Sequence, residues 1–205
     1  MDRIDKKILT AIYVSSLTNE NIISIIRKTF PANSDHIKSR IDSLVKNGLV
    51  ESNEKTLTQI GRSSLRVVLA GGVFDIIHPG HIHTLKAAKE LGDVLVVVVA
   101  TDKTAEKMKK RKPLHDMRLR SELVGALSIV DCCVIGQEGD IFKTVDAVKP
   151  EIIALGYDQV HQEKFITDGC KKLNLEVQIA RLQSPIPDIK SSKIEEAYGE
   201  SIHGI

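Results

Sequence analysis

The spacing of hydrophobic positions changes near residue 65, and this change divides the chain into two regions. Over residues 1–64, hydrophobic side chains recur three and four positions apart, as they do on one face of a helix. Beyond residue 65, short and continuously apolar runs alternate with helical patterns. The run over 94–100 is typical of a central parallel strand that is covered on both faces. The pattern therefore predicts a small domain over 1–64 and a larger one over 65–205.

The first region predicts three helices followed by a short hairpin. An Asn-Gly pair at 47–48 is a stop signal for the third helix. Two β-prone segments, 49–52 and 56–58, then flank a polar turn. This order resembles a winged helix-turn-helix, as do the phrases K-N-G-L-V-E and L-T-x-x-G. The resemblance implies a small, mainly α, winged-helix domain.

Two roles for this domain stay open. A winged helix-turn-helix presents its third helix to DNA, where Lys38, Arg40 and Lys46 could contact phosphates. Asp35 and Asp42 lie among them and would repel the DNA backbone. Residues 1–64 carry 10 basic against 7 acidic residues, a modest excess for a DNA-binding module. The alternative role is homodimerisation, or packing against the second domain.

The second region predicts strands that alternate with helices. The predicted strands are 66–70, 94–100, 132–135, 152–155 and 176–180. The predicted helices are 80–91, 117–127, 141–148 and 162–173. This alternation predicts an α/β fold with a doubly wound, mostly parallel, Rossmann-like sheet. In such sheets ligands bind beyond the carboxyl ends of the strands.

Bulk composition excludes several classes of protein. Of 205 residues, 42% are hydrophobic and 27% are charged, which is a globular composition. No apolar stretch approaches the roughly 20 residues that span a bilayer, and the first residues lack an apolar signal segment. We therefore expect a cytoplasmic protein that does not bind membranes. The three cysteines lack zinc-binding spacing, so we expect no metal held by protein side chains alone.

The most informative segment is G-G-V-F-D-I-I-H-P-G-H at 71–81, between the first predicted strand and its helix. Glycines allow close approach of a phosphate, and a helix N-terminus offers free N–H groups to an anion. His78 and His81 flank the helix start, so both rings can point toward one triphosphate. Such donors stabilise charge that develops during nucleotidyl transfer. The alternative is that both histidines are capping or packing residues.

This segment resembles the signature of the cytidylyltransferase-like nucleotidyltransferase superfamily. The resemblance implies transfer of AMP or CMP from ATP or CTP to a phosphate, with release of pyrophosphate. It implies that His78 and His81 contact the triphosphate and stabilise the transition state without a covalent intermediate. Gly72, Val73 and Phe74 are then nucleotide-binding residues. Asp75 is expected near the substrate phosphates.

A second group of candidates follows the second predicted strand. The resemblance places Asp102 where the acceptor phosphate approaches, and Arg120 as a phosphate ligand. Five basic residues between 107 and 112 predict a mobile basic loop that could clamp a polyphosphate. Lys109 is the candidate catalytic lysine and Lys107 a candidate substrate-binding residue. A solvated basic face is the alternative for this run.

Two later motifs complete the resemblance. Gly156, Tyr157 and Asp158 match the turn that recognises the base, and Tyr157 could stack on an aromatic acceptor. Ser191 and Ser192 resemble a motif that holds the β- and γ-phosphates, although a simple helix cap is an alternative.

Longer phrases narrow the resemblance to archaeal FAD synthases. These phrases are G-Q-E-G-D-I-F at 136–142 and P-E-I-I-A-L-G-Y-D-Q at 150–159. The resemblance implies that ATP and FMN give FAD and pyrophosphate, with Mg²⁺ screening the triphosphate. Two alternatives stay open: a cytidylyltransferase that makes a CDP-polyol from a substrate such as glycerol 3-phosphate, and a nucleotide-sensing DNA-binding regulator.

Overall fold

The computed structural model describes residues 1–31, 33–156, 159–183, 193–194 and 196–197. Within these ranges, no helix combines the length and apolar character needed to cross a membrane.

Four helices precede the sheet. They are α1 (Arg3–Thr18), α2 (Ile22–Thr29), α3 (Ser34–Lys46) and α4 (Gln59–Ser63). The side chains of Asp2, Asn21, Asn33 and Thr58 accept hydrogen bonds from the first N–H groups of these helices. These caps satisfy donors that a helix start leaves without an internal partner, which explains where each helix begins.

The small hairpin predicted in the first region is present: Val50 and Leu57 form an antiparallel bridge, and backbone hydrogen bonds run from Glu51 N–H to the Thr56 carbonyl at 2.8 Å and from Thr58 N–H to the Leu49 carbonyl at 3.1 Å. Glu54, with a left-handed φ of 59°, lies in the turn between the two segments. Helix α4 follows at once, and Thr58 caps it instead of extending a strand. The prediction of a small hairpin is therefore confirmed, and Thr58 both ends its second segment and caps α4. Assignment of residues 1–64 to the winged-helix class stays a prediction.

The sheet has five parallel strands in the order β3-β2-β1-β4-β5. The strands are β1 (Val67–Gly72), β2 (Val94–Val99), β3 (Cys132–Ile135), β4 (Ile152–Leu155) and β5 (Gln178–Arg181). The intervening helices are α5 (Pro79–Glu90), α6 (Asp102–Lys109), α7 (Met117–Gly125), α8 (Ile141–Val148) and α9 (Glu163–Lys172). The prediction of a doubly wound α/β fold is confirmed.

Each face of the sheet has its own hydrophobic core. Helices α5 and α7 cover one face, where Leu85 and Val124 pack with Val68, Leu95 and Val97. Helices α8 and α9 cover the other face. Helix α5, which connects β1 to β2, therefore lies on one face of the sheet, and α8, which leads into β4, lies on the other face. This change of face creates a crevice at the carboxyl ends of the neighbouring strands β1 and β4.

The N-terminal region shares the core of the second face. Ile8, Leu9 and Ile12 of α1 are fully buried in the same cluster as Val67 and Val96 of the sheet. Such burial removes apolar surface of both regions from water, so each stabilises the other. Residues 1–64 are therefore packed against the second region and are not joined to it only by a linker.

Three polar contacts fix this packing. The Tyr13 hydroxyl donates to the Val148 carbonyl at 2.7 Å, and burial raises the pKa of Tyr13. The Lys6 ammonium lies 2.6 Å from the Asp93 carboxylate. Arg62 donates to Glu151, with Nη1 and Oε1 3.0 Å apart. Contacts at three separate points set the orientation of the first region on the second.

Candidate active site

The glycine-rich turn lies where β1 ends. Phe74 has a φ of 53°, a left-handed conformation that costs energy for a residue with a side chain. Its buried ring folds back over Gly72, where an added Cβ would lie 2.9 Å from a ring carbon. Gly72 is therefore required to accommodate Phe74. The Phe74 ring in turn lies 5.2 Å from the His81 ring, centroid to centroid, and so supports it.

The two motif histidines stack at the start of α5. Their ring centroids lie 3.9 Å apart with an interplanar angle of 32°. His78 is the N-cap residue but its side chain makes no capping hydrogen bond, unlike the caps of the earlier helices. Among the described residues, the buried Nδ1 atoms of His78 and His81 have no hydrogen-bond partner. Buried polar atoms that lack a hydrogen-bond partner and lie beside a helix N-terminus suit an anionic ligand.

Burial lowers the pKa of both histidines. The pKa of His81 falls to about 4, chiefly by desolvation and then through the nearby His78 and Lys109. The pKa of His78 is also lowered, by desolvation and by the charge of Lys109. Both rings are therefore neutral at pH 7 and can donate a hydrogen bond to a phosphate oxygen. The charge of Lys109 thus acts on both rings, and the catalytic role of His78, His81 and Lys109 stays a prediction.

Asp75 is buried and holds the segment that follows α6. Its Oδ1 accepts from the Leu114 N–H at 2.7 Å, and its Oδ2 lies 2.7 Å from Nη2 of Arg111. Both contacts reach across from the glycine-rich turn to residues 110–116. Asp75 was predicted to lie near substrate phosphates, and this placement makes it an anchor for the neighbouring segment.

Arg120 was predicted to bind phosphate, but its side chain is fully buried. Its guanidinium donates to the Val73 carbonyl at 2.6 Å, to the His115 carbonyl at 2.9 Å and to Asp102 at 2.7 Å. These bonds join the end of β1, the start of α6 and the segment before α7. The geometry favours a bracing role for Arg120 in this conformation. Asp102 is half-exposed beside it, at the first turn of α6.

The basic run is divided between a helix and a loop: Lys107 and Lys109 lie in α6, whereas residues 110–112 lie in the irregular segment that follows it. Lys107 and Lys109 lie in the last turn of α6, whose N-cap is Thr101. The loop prediction was wrong for Lys107 and Lys109, because the Thr101 hydroxyl accepts a hydrogen bond from the Thr104 N–H and caps a helix that the basic composition concealed. The helix separates the two lysines: Lys107 lines a cavity, whereas the charge of Lys109 acts on both histidines.

This cavity of about 710 Å³ opens at the carboxyl ends of the strands. Gly71 and Gly72 of β1 and Leu155 of β4 line it, so it occupies the crevice that the winding of the sheet predicts. Its walls are mostly apolar. The volume lies within the range of small-molecule sites.

The later motifs are described only in part. The Gly156 N–H donates to Oε1 of Gln159 at 2.9 Å, which closes the turn after β4. Tyr157, Asp158, Ser191 and Ser192 lie outside the described residues. Their roles stay predictions.

Sequence reasoning missed several residues around the site. Arg111 was grouped with a basic run, although it pairs with Asp75. Met108 and Phe165 were not considered, although both line the cavity. Only the fold brings these positions together, so spacing along the chain gave no signal for them.

Comparison with known proteins shows the family to which the chain belongs. The family described as Cytidylyltransferase-like matches residues 69–197. The chain is 48% identical to the FAD synthase of Aciduliprofundum boonei over 116 residues, which cover 57% of this chain and 77% of that relative. It is 47% identical to the FAD synthase of Thermoplasma volcanium over 138 residues, which cover 65% of this chain and 96% of that relative.

A solved structure is also similar. It is described as the lipopolysaccharide core biosynthesis protein of Thermoplasma volcanium, and it shares 48% identity with a TM-score of 0.56. The match covers 58% of this chain and 98% of that one.

The five-stranded parallel sheet and its histidine-bearing turn define an α/β nucleotidyltransferase. With a family match over more than half its length, the chain belongs to the cytidylyltransferase-like family.

Proposed function

We propose that the protein transfers AMP from ATP to FMN, giving FAD and pyrophosphate. The observation that carries the transfer chemistry is the stacked pair His78 and His81, with buried and unpartnered Nδ1 atoms at a helix start. The choice of ATP and FMN is supported by relatives named FAD synthase at 42–49% identity.

In this reaction a phosphate oxygen of FMN attacks the α-phosphorus of ATP. The new P–O bond forms as the bond to the pyrophosphate oxygen breaks, and both electrons of that bond leave with pyrophosphate. Negative charge builds on the α-phosphate oxygens, where His78, His81 and Lys109 act as donors. Because these groups are held in place before reaction, little reorganisation is needed in the transition state. No covalent bond to the protein is required.

Mg²⁺ is the expected cofactor. Among the described residues, no group of three or more His, Cys, Asp or Glu side chains could hold a metal ion. A Mg²⁺ ion that arrives bound to the triphosphate does not need such a group of side chains, because phosphate oxygens and water supply most of its ligands. Asp102, which is half-exposed at the start of α6 and pairs with Arg120, is the carboxylate that we propose assists. When bound, the ion neutralises charge on the triphosphate.

The remaining predicted residues are assigned supporting roles. Gly72, Val73 and Phe74 shape the turn that receives the nucleotide, and Gly156 begins the turn proposed to recognise the base. Tyr157 and Asp158 would complete that turn. Ser191 and Ser192 would hold the β- and γ-phosphates.

The N-terminal region is proposed to stabilise the catalytic domain by packing. Two of the three side chains that were candidates for DNA contact have partners within the domain: Lys38 pairs with Glu54 at 2.5 Å, and Arg40 pairs with Asp2 and Asp5. To contact DNA phosphates, Lys38 and Arg40 would have to break these ion pairs, which weakens the case for DNA binding. Homodimerisation and DNA binding remain predictions, and titration with DNA at low salt tests the second.

A substrate panel tests the proposal. Purified protein would receive ATP or CTP with either FMN or glycerol 3-phosphate, and pyrophosphate and the nucleotide product would be measured. ATP with FMN should be the fastest pair. Faster turnover of CTP with glycerol 3-phosphate would make the protein a CDP-polyol enzyme. Absence of turnover with every pair, with ATP still bound, would favour a nucleotide sensor.

A further inference from the structure

The cavity at the carboxyl ends of the strands has an apolar rim as well as apolar walls. Three large hydrophobic side chains that line it are unusually open to solvent: Met108 is 55% exposed, Ile141 43% and Phe165 60%. They come from α6, α8 and α9, so three separate elements place apolar groups around one opening. Exposed apolar groups that converge on a cavity mark a binding site for an apolar ligand.

An aromatic pair forms one side of this opening. The rings of Phe142 and Phe165 lie 5.1 Å apart at an angle of 55°. Gly169 of α9 makes room for the pair, because an added Cβ would lie only 1.8 Å from a ring carbon of Phe142. The aromatic wall is therefore built into the packing of α8 against α9.

The cavity also adjoins the transfer site. Gly71 and Gly72 line it and lead directly into the turn that carries the histidines. Lys107 lines it as well, two residues before the lysine whose charge acts on both histidines. A ligand with an aromatic body and a phosphate could thus lie in the cavity with its phosphate toward α6.

We infer that this cavity binds the isoalloxazine ring of the acceptor flavin, with Phe165, Met108 and Ile141 as its contacts. The inference rests on the proposed function and adds the location of the acceptor ring. A fused three-ring system with a dimethylbenzene edge covers the apolar walls and rim. Glycerol phosphate is too polar to gain from this surface. Adenine is smaller and more polar than the flavin ring, so the cavity fits it less well.

The test compares Phe165→Ala with Leu123→Ala. Leu123 is a matched control, because it is 45% exposed on α7 and does not line the cavity. Phe165→Ala should raise the KM for FMN about tenfold, the scale of losing one aromatic contact, with the KM for ATP nearly unchanged. Leu123→Ala should change neither. Equal melting temperatures would show that both variants fold.

Lumiflavin, which carries the isoalloxazine ring without a ribityl phosphate, gives an independent measurement. It should inhibit competitively against FMN but not against ATP, and Phe165→Ala should weaken that inhibition. If Phe165→Ala raises the KM for ATP and leaves the KM for FMN unchanged, the cavity holds the adenosine and the inference is overturned. In that case, FAD formation by the wild type would still support the proposed function. If the wild type forms no FAD, both the function and this inference fail.

Discussion

At the scale of single residues, burial affects the pKa values of the two site histidines more than neighbouring charges do. His78 and His81 have lowered pKa values mainly because they are desolvated, and they stack on each other without partners for their Nδ1 atoms. Keeping two polar rings in this state costs stability, as polar groups at functional sites often do. A triphosphate would supply the missing partners, so the cost is recovered when substrate binds.

Replacing His81 by alanine tests this role. We expect kcat to fall about 10²-fold or more, the scale for losing one preorganised donor to a developing charge. The dissociation constant for ATP should change less, because the interaction strengthens mainly in the transition state. Single-turnover rates and equilibrium binding of ATP measure the two effects separately. Much weaker binding with a normal rate for bound substrate would show that the role is wrong.

Proton uptake gives a second prediction at this scale. The pKa of His81 is about 4 in the free protein, so the ring is neutral at about pH 6. A bound triphosphate favours the charged ring and raises this pKa, so ATP binding should take up protons. Calorimetry in two buffers of different ionisation enthalpy measures the uptake. His81→Asn provides the baseline, since the nucleotide's own protons are common to both proteins, and equal uptake would contradict the assignment.

The same pKa shift has a consequence for folding. Because the folded-state value lies below the unfolded value of about 6.5, the unfolded chain binds more protons between these two values. The contribution of His81 to stability is therefore fully present above about pH 6.5 and is lost as the pH falls toward 4.

Prediction from sequence succeeded at the residue scale where one local segment carries the signal. His78 and His81 lie three positions apart at a helix start, so their convergence follows from local geometry. Arg120 shows the limit of this reasoning. A phosphate ligand and a buried brace look alike in sequence, and only long-range packing places its guanidinium against Val73 and Asp102.

At the scale of elements, α6 decides how the basic residues are used. As a helix it holds Lys107 toward the cavity and Lys109 toward the histidines, which a mobile loop could not do. Asp75 then anchors the segment that follows through Arg111 and Leu114. The orientation of α6 is thus fixed from both of its ends.

Alanine substitution of each lysine tests whether Lys107 and Lys109 have different roles. Lys109→Ala should lower kcat with FMN and ATP, because its charge acts on both histidines. Lys107→Ala should mainly raise a substrate KM. Lys112→Ala is the control for simple loss of a positive charge and should change little. Steady-state kinetics with each substrate varied in turn gives the answer, and a flat result for all three would support a solvated basic face.

The bounds of elements were predicted most accurately where glycine or capping residues flank an apolar segment. Strands β3 and β4 and helix α8 begin and end at the predicted residues. Gly136 and Gly156 follow the two strands, and Asp140 caps the helix. Helices α4 and α6 were missed because a short threonine-capped helix leaves only a weak hydrophobic pattern.

At the scale of the whole molecule, the two regions share one core. Ile8, Leu9 and Ile12 are buried against the sheet, together with the hydroxyl of Tyr13. The sequence predicted two regions with a boundary near residue 64 and left packing between them as one alternative. It could not decide for a shared core, because those contacts join residues more than 50 positions apart.

Truncation tests this shared core. A chain that begins near Ser64 should lose solubility or melt at a much lower temperature, because it exposes the apolar surface that α1 covers. Tyr13→Phe in the full chain should destabilise moderately, by about 1 kcal/mol, through loss of one buried hydrogen bond. Thermal melts and FAD-forming activity measure both. A truncated chain with normal stability and activity would show that the first region is an independent module.

The central claim is that the protein joins the AMP moiety of ATP to FMN. The most direct measurement uses ATP labelled at the α-phosphate, incubated with FMN, Mg²⁺ and the full chain. We expect that the label enters FAD, that one pyrophosphate is released for each FAD, and that His81→Ala slows both together. Label that remains in ATP, or that enters a product lacking FMN, would contradict the account.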